Sequence, residues 1–231
     1  MLTAADWTAL VLTLQLALVS CLILFLIGTP LAWWLSRAKS AIKPIIEAII
    51  ALPLVLPPTV LGFYLLILLS KNGAVGSVFY ELFGSDLAFS FTGLVVGSVI
   101  YSLPFVIQPL HSAFSAVRRD ILETASSLGA SAIDRFFTIV LPLTRQGFLT
   151  AAVLGFAHTL GEFGVVLMLG GNIPGETRVV SIAIYEHVES LQYANAHALS
   201  AVLLCVSFVL LVGLYAFNRR SGQAVYSVFG R

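Results

Sequence analysis

Two side chains able to bind ligands or exchange protons, His158 and Glu162, stand four residues apart in an otherwise apolar run, A-H-T-L-G-E-F-G. On a helix this spacing puts both on one face. Glu162 follows Arg145 by about 17 residues, which carries it about 25 Å along a helix axis. An ionised carboxylate at that depth in a bilayer is costly unless it faces a cavity or a partner. Two readings fit. One is a gate or lining of a pathway, with Gly161 and Gly164 permitting a local break or a close helix approach. The other is a clamp between two helices. A bare carboxylate repels anions, so Glu162 is not expected to ligate one.

A second polar opportunity lies in P-I-I-E-A-I-I-A-L-P-L-V-L-P-P-T-V-L-G-F. Pro53, Pro57 and Pro58 lack an N–H, so the carbonyls of residues 49, 53 and 54 lose their helical partners. Pro57 comes about 13 residues after Pro44, about 20 Å up a helix axis. A break at that depth is tolerated only when packed in protein or lining a watery path. A half-helix starting near Thr59 would turn free N–H groups and a positive dipole end toward an anion. The alternative is a packing kink.

Other chemistry finds no support. There is no G-x-x-x-x-G-K-[ST] phosphate loop and no Ser-His-Asp or Cys-His constellation. His111, His158, His187 and His197 are too scattered for a metal site. Cys21 and Cys205 fall in apolar runs and offer neither a disulfide framework nor metal-ligand spacing. This chain is expected to be no enzyme and to bind no cofactor, and a net charge of +1 gives no reason to expect nucleic acid.

The elements that position these residues are membrane helices. Of the 231 residues, 59% are hydrophobic and 10% charged, with a mean hydropathy of +1.01. A soluble domain of this length could not hide so much apolar surface, so the bilayer is the solvent. Five runs are long enough to span it: residues 10–35, 45–69, 91–110, 147–169 and 198–217. The first is not expected to be a cleaved signal, because Asp6 and no Lys or Arg precedes it.

With the N-terminus outside, Arg37, Lys39, Lys43, Arg118, Arg119, Arg135, Arg145, Arg219, Arg220 and Arg231 fall inside. Only Lys71 and Arg178 of the twelve basic residues fall outside, as the positive-inside rule requires. The C-terminus is then cytoplasmic. The segment 178–191 is too short and too charged to span, and reads as an outer or re-entrant helix. The fold expected is all-α: residues 1–231 as a single polytopic membrane domain with five transmembrane helices and no appended soluble domain.

The inner loop is unusually structured for a connection between spans. Ile121, Leu122, Ala125 and Leu128 can share one helical face. Gly129 suits the left-handed residue that ends a helix. Ser131 can start a second helix, with Asp134 completing a capping box. Ile133, Phe136 and Phe137 give that helix an apolar side, and Pro142 suits the first turn of the next span. From the residues alone, two arrangements fit: a docking element for a cytoplasmic partner, or an amphipathic hairpin on the inner leaflet.

These residues carry a resemblance. Glu123, Thr124, Ala125, Gly129, Ile139, Leu141 and Pro142 match the E-A-A-x-x-x-G-x(9)-I-x-L-P pattern of binding-protein-dependent ABC importer permeases, with Thr124 in place of the second alanine. The stretch L-P-L-V-L-P-P, and L-G-E-F-G followed by N-I-P-G-E-T-R, are similar to the molybdate permeases of the molybdate/sulfate permease family. The resemblance covers most of the chain, from about Trp7 to Phe217.

It implies a type I ABC importer permease fold in the cytoplasmic membrane of a prokaryote. Residues 115–142 would be a coupling segment, its helix pair docked on a separate ATPase. The chain would form a homodimer, with two ATPase subunits that bind ATP and Mg and an extracytoplasmic molybdate-binding protein. Pro53, Pro57, Pro58, Thr59, His158, Gly161, Glu162 and Gly164 are the candidate pathway or gate residues. Asn172, Glu176 and Arg178 are candidates for docking the binding protein. Tungstate and sulfate are alternative cargoes. A stand-alone secondary anion transporter or channel is the competing class, and it would require mid-membrane coupling carboxylates or an internal repeat.

Overall fold

A computed structural model describes residues 2–229. Arg231 therefore lies outside the described residues, as do the side chains of Arg219 and Arg220. The described residues form a succession of helices joined by short links, and three helices form the centre. Helix α1 (Ala4–Arg37) crosses beside α5 (Phe91–Ser115) and α8 (Leu141–Leu160). Between α1 and α5 lie α2 (Lys43–Val55), α3 (Pro58–Leu69) and α4 (Ala74–Phe83). Between α5 and α8 come α6 (Arg119–Ser127), the single turn α7 (Ala132–Arg135) and a π-helical turn, Phe136–Val140. Then follow α9 (Gly164–Gly170), α10 (Val180–Glu189) and α11 (Tyr193–Phe229).

The centre is held by small residues as much as by large ones. A Cβ on Gly155 would stand 2.6 Å from Val106, and one on Gly147 would stand 2.3 Å from Ala113. Helices α5 and α8 therefore approach as only glycine allows. Close backbone packing of this kind replaces the hydrophobic drive that lipid cannot supply. Leu16, Leu24, Leu35, Leu94, Ile107, Leu110 and Phe114 fill the remaining space.

Contacts fix the two ends of the bundle. At one end Thr3 and Asp6 form a capping box on α1, Asp6 meets His187 Nε2 at 2.8 Å, and the Val180 N–H donates to Thr13 Oγ1 at 2.8 Å. At the other, Arg37 donates to the carbonyls of Phe114 (3.4 Å) and Val117 (3.2 Å). The Phe114 carbonyl lies in the last turn of α5 and that of Val117 just beyond it, at a helix end where a cation is favoured. Helix α10 is a short helix within the segment 178–191, on the same end of the bundle as the N-terminus.

Among the described residues, four helices are long and apolar enough to cross a membrane: α1, α5, the continuous run Ala132–Leu160, and α11 through Ala216. Helices α2 and α3 make a fifth only when taken together, for their axes differ by 115°. The span expected at 45–69 is thus two helices rather than one kinked rod. Three prolines in six residues explain the severity. The span expected at 147–169 also differs. It begins at residue 132 and breaks after Leu160, with Gly161, Glu162 and Phe163 outside any helix.

Candidate functional site

The two broken segments meet. Leu56 and Pro57 are extended (ψ 136° in both), and Pro58 opens α3 as its first residue. Phe163 (φ −129°, ψ −58°) precedes α9. A Cβ on Gly164 would stand 2.7 Å from Pro58 Cβ, and one on Gly62 would stand 2.8 Å from Met168 Cβ. Helices α3 and α9 therefore lie side by side with almost no gap, and α5 closes in beyond Gly97.

Below this junction is a cavity of about 500 Å³ lined by Pro58, Thr59, Tyr101, Ala157, His158, Gly161, Glu162, Phe163 and Gly164. Seven of the eight residues expected to line the pathway fall into or beside it: Pro57, Pro58, Thr59, His158, Gly161, Glu162 and Gly164. Pro53 is buried one turn earlier inside α2 and is absent from the lining.

His158 and Glu162 share the cavity wall, but not as neighbours on a helical face, since α8 ends between them. The His158 ring stacks on Phe105 with centroids 3.8 Å apart and lies 4.7 Å from the Tyr101 ring. Its Nδ1 is 2.9 Å from Ser102 Oγ, which is 3.1 Å from Thr159 Oγ1. Thr159 in turn donates to the Gly155 carbonyl at 3.0 Å.

Glu162 is 4% exposed, and neither carboxyl oxygen has a hydrogen-bond partner among the described residues. The buried Ser98 hydroxyl is likewise without a hydrogen bond of normal geometry among the described residues. Buried polar groups are nearly always paired, so this orphaned carboxyl is an exception. The Glu162 backbone carbonyl is held by Ser181 Oγ–H at 2.6 Å, which ties the break to α10.

Sequence reasoning missed Ser98, Tyr101, Ser102 and Thr159. A signal existed: Ser98 and Ser102 are four apart and form a polar strip along one face of an apolar helix.

The loop after α9 is closed by its own polar groups. Arg178 Nε donates to Asn172 Oδ1 at 2.6 Å, and its Nη2 pairs with Glu186 at 2.8 Å. Asn172 Nδ2 also donates to Glu186, at 3.2 Å. Two of the three residues expected to dock a binding protein are thus engaged within the chain, while Glu176 is exposed.

At the opposite end, α6 stops as the sequence implies. Gly129 has φ +89°, the Ala130 N–H donates to the Ala125 carbonyl, and the Gly129 N–H to that of Ser126, both at 3.0 Å. This is a complete Schellman motif. The Ser131 hydroxyl then accepts the Asp134 N–H at 3.1 Å. The return bond expected from the Asp134 side chain is not formed, so only half of the capping box is present. The second helix is also a single turn, continued by the π turn into α8, so Pro142 sits in the first turn of α8 without starting a separate rod. The Arg118 guanidinium, hydrogen-bonded to Asp120 at 3.1 Å, holds that carboxyl below the usual carboxylate range.

The hairpin has an inner and an outer face. Leu122 and Phe136 pack into the core, and Trp33 meets Phe136 and Phe114 edge-on at 6.2 and 5.3 Å. Arg135 Nη1 donates to the Leu122 carbonyl at 3.1 Å and locks the two limbs together. Outside stand Ile121, Leu128, Ile133 and Phe137, with Leu128 84% exposed. The shared face expected for Ile121, Leu122, Ala125 and Leu128 is therefore split: Leu122 and Ala125 turn toward the bundle, Ile121 and Leu128 away from it. Glu123 and Thr124 are exposed, Ile139 and Leu141 partly buried.

Comparison with known proteins adds three findings. The family described as "Binding-protein-dependent transport system inner membrane component" matches residues 7–225. The chain is 54% identical to the molybdenum transport system permease protein ModB of Azotobacter vinelandii, over 94% of this chain and 96% of that one. It is 36% identical to ModB of Escherichia coli K12 (82% of each chain) and 36% identical to the sulfate transport system permease protein CysT of Synechocystis (85% of this chain, 68% of that one). In fold it matches a chain of a bacterial alginate ABC transporter crystallised with its periplasmic protein, with a TM-score of 0.74 at 20% identity, covering 94% of this chain and 80% of that one. It also matches the MetNI methionine ABC transporter, with a TM-score of 0.66 at 16% identity over 94% of both chains.

Proposed function

Because the chain belongs to the family of binding-protein-dependent transport system inner membrane components, we propose that it is the permease subunit of an ATP-driven importer of molybdate. The observation that carries this reading is the hairpin at Arg119–Val140. It is anchored rigidly to α1 and α5 on one face, and on the other it offers Ile121, Leu128, Ile133 and Phe137 to the solvent. Large apolar side chains clustered on a rigid, exposed element mark a protein-binding surface.

The partner at that surface is an ABC ATPase, which binds ATP and Mg and does the chemistry. The permease works as a homodimer in the cytoplasmic membrane of a prokaryote, and an extracytoplasmic molybdate-binding protein delivers cargo to the outer end. The hairpin converts ATPase closure into movement of α8, because the π turn makes hairpin and span one body. The broken segments at Pro57 and Glu162 form the pathway wall that this movement opens and closes.

The 54% identity to one molybdenum permease, against 36% to the sulfate permease CysT, supports molybdate over sulfate. Tungstate shares the size and charge of molybdate and is accepted with it. The test is competition: in vesicles holding the assembled importer, unlabelled tungstate suppresses labelled molybdate uptake and equimolar sulfate does not. Suppression by sulfate equal to that by tungstate would assign the chain to sulfate transport instead.

A further inference from the structure

The contacts around His158 fix which ring nitrogen carries the proton. Thr159 Oγ1 lies 3.0 Å from the Gly155 carbonyl oxygen. A carbonyl only accepts, so the single Thr159 hydroxyl proton is committed there. In the 3.1 Å contact between Ser102 and Thr159, Ser102 is then the donor. With the Ser102 proton used, the 2.9 Å contact to His158 has Nδ1–H as the donor. All three contacts are hydrogen bonds at once only when the protons run in this one direction, from His158 through Ser102 and Thr159 to Gly155. A neutral His158 in this tautomer has only a lone pair at Nε2, which has no hydrogen-bond partner among the described residues, on a side chain that lines the cavity.

A fully ionised tetrahedral oxyanion accepts hydrogen bonds at every oxygen and donates none. A lone pair cannot hold it; an Nε2–H can, and gaining that proton with Nδ1–H fixed makes the ring a cation. We infer that the cavity is a transit site for a tetrahedral oxyanion, in which His158 binds the anion as imidazolium, with Nδ1–H held by Ser102 and Nε2–H turned to the ligand. The inference rests on the oxyanion-importer reading above. Ser102 and Thr159 are positioning residues, and His158 is the contact.

The rest of the wall is consistent with an anion. Thr59 brings its hydroxyl and a backbone N–H from the first turn of α3, where helical N–H groups have no internal partner. The titratable groups facing His158 are Tyr101 from α5 and Glu162 from the link after α8; α3 contributes Pro58 and Thr59 to the lining, neither of them titratable. Both Glu162 carboxyl oxygens are sealed from solvent, so this residue meets the cavity with its stem and not its charge.

Proton and anion occupancy are then linked. Anion binding is present where the imidazole can be protonated and is lost as pH rises. The test uses the chain assembled with its ATPase and binding protein in sealed vesicles, radiolabelled molybdate as the probe, and ATP hydrolysis measured alongside. In the unmodified complex, molybdate taken up per ATP hydrolysed falls as pH rises. His158→Ala and His158→Gln, neutral at every pH, lower that ratio roughly tenfold or more and flatten its pH profile. His158→Gln retains an amide that can bond Ser102, so it assembles even where the alanine variant fails.

Ser102→Ala removes the acceptor for Nδ1–H and moves the falling limb to lower pH, a displacement that lost packing alone does not produce. His158→Gln with the unmodified ratio and profile overturns the inference, as does an unmoved limb in Ser102→Ala. An unmodified complex that shows no ATP-driven molybdate uptake overturns the importer reading itself, and this inference with it.

Discussion

Pro58 and Gly164 lie so close that a Cβ added at Gly164 would stand 2.7 Å from Pro58 Cβ. The contact joins the first residues of α3 and α9, the two helices that restart after a break. Their junction caps the cavity holding His158 and sets the position of the Pro57–Thr59 turn over it.

Gly164→Ala should therefore force α3 and α9 apart. Overpacking of this kind costs about 1–3 kcal/mol. The expected result is a lower thermal midpoint in detergent together with reduced uptake. A variant with unchanged midpoint and uptake would mean that the two helices are free to slide.

Gly129→Val should uncouple ATP hydrolysis from uptake while the complex still assembles. A β-branched side chain at φ +89° costs on the order of 1–3 kcal/mol, and the Schellman turn that aims α6 at its partner would be distorted. Gly129→Asn tolerates that region better and should couple more efficiently than the valine variant. Uptake per ATP in the two variants gives the comparison, and full coupling in the valine variant contradicts the proposed role of the turn.

Leu128→Asp changes the most exposed apolar side chain on the hairpin and touches no core contact. The permease should fold with an unchanged midpoint yet recover less ATPase on co-purification, because a charge would be buried at the interface. Undiminished recovery would place the ATPase contact elsewhere.

Glu162→Gln keeps the volume and removes the possibility of an unpaired charge. Burying a charge without a partner is costly, so the variant should be at least as stable as the parent. The thermal midpoint of the assembled permease measures this. A clear fall would mean that a second copy supplies a cation to Glu162, which would turn the residue from cavity wall into helix clamp.

Much of this was legible in the sequence because it depends on local chemistry. Prolines 53, 57 and 58 announced a break, and Gly129 announced a left-handed turn; both depend on one or two backbone dihedrals. The break after Leu160 was less clear. Gly161 and Gly164 permit one, but the 17 or so residues before them read as an uninterrupted helix by periodicity. What was not legible was the pairing of distant elements. That α3 and α9 meet, that Ser102 orients His158, and that Arg178 closes on Glu186 depend on contacts between segments far apart in the chain. The Arg178 pair also shows why exposed charges mislead: a basic residue on an outer loop suits a binding-protein contact and an internal clamp equally well until its neighbours are known.

On the proposed reading, this chain moves molybdate only when an ATPase acts on its hairpin. The direct measurement is uptake of radiolabelled molybdate into sealed vesicles containing the chain, with the ATPase, the binding protein and ATP each added or omitted in turn. Uptake should require all three together and stop when any one is left out. Uptake by the chain without the ATPase would contradict the account and make this protein a stand-alone anion transporter.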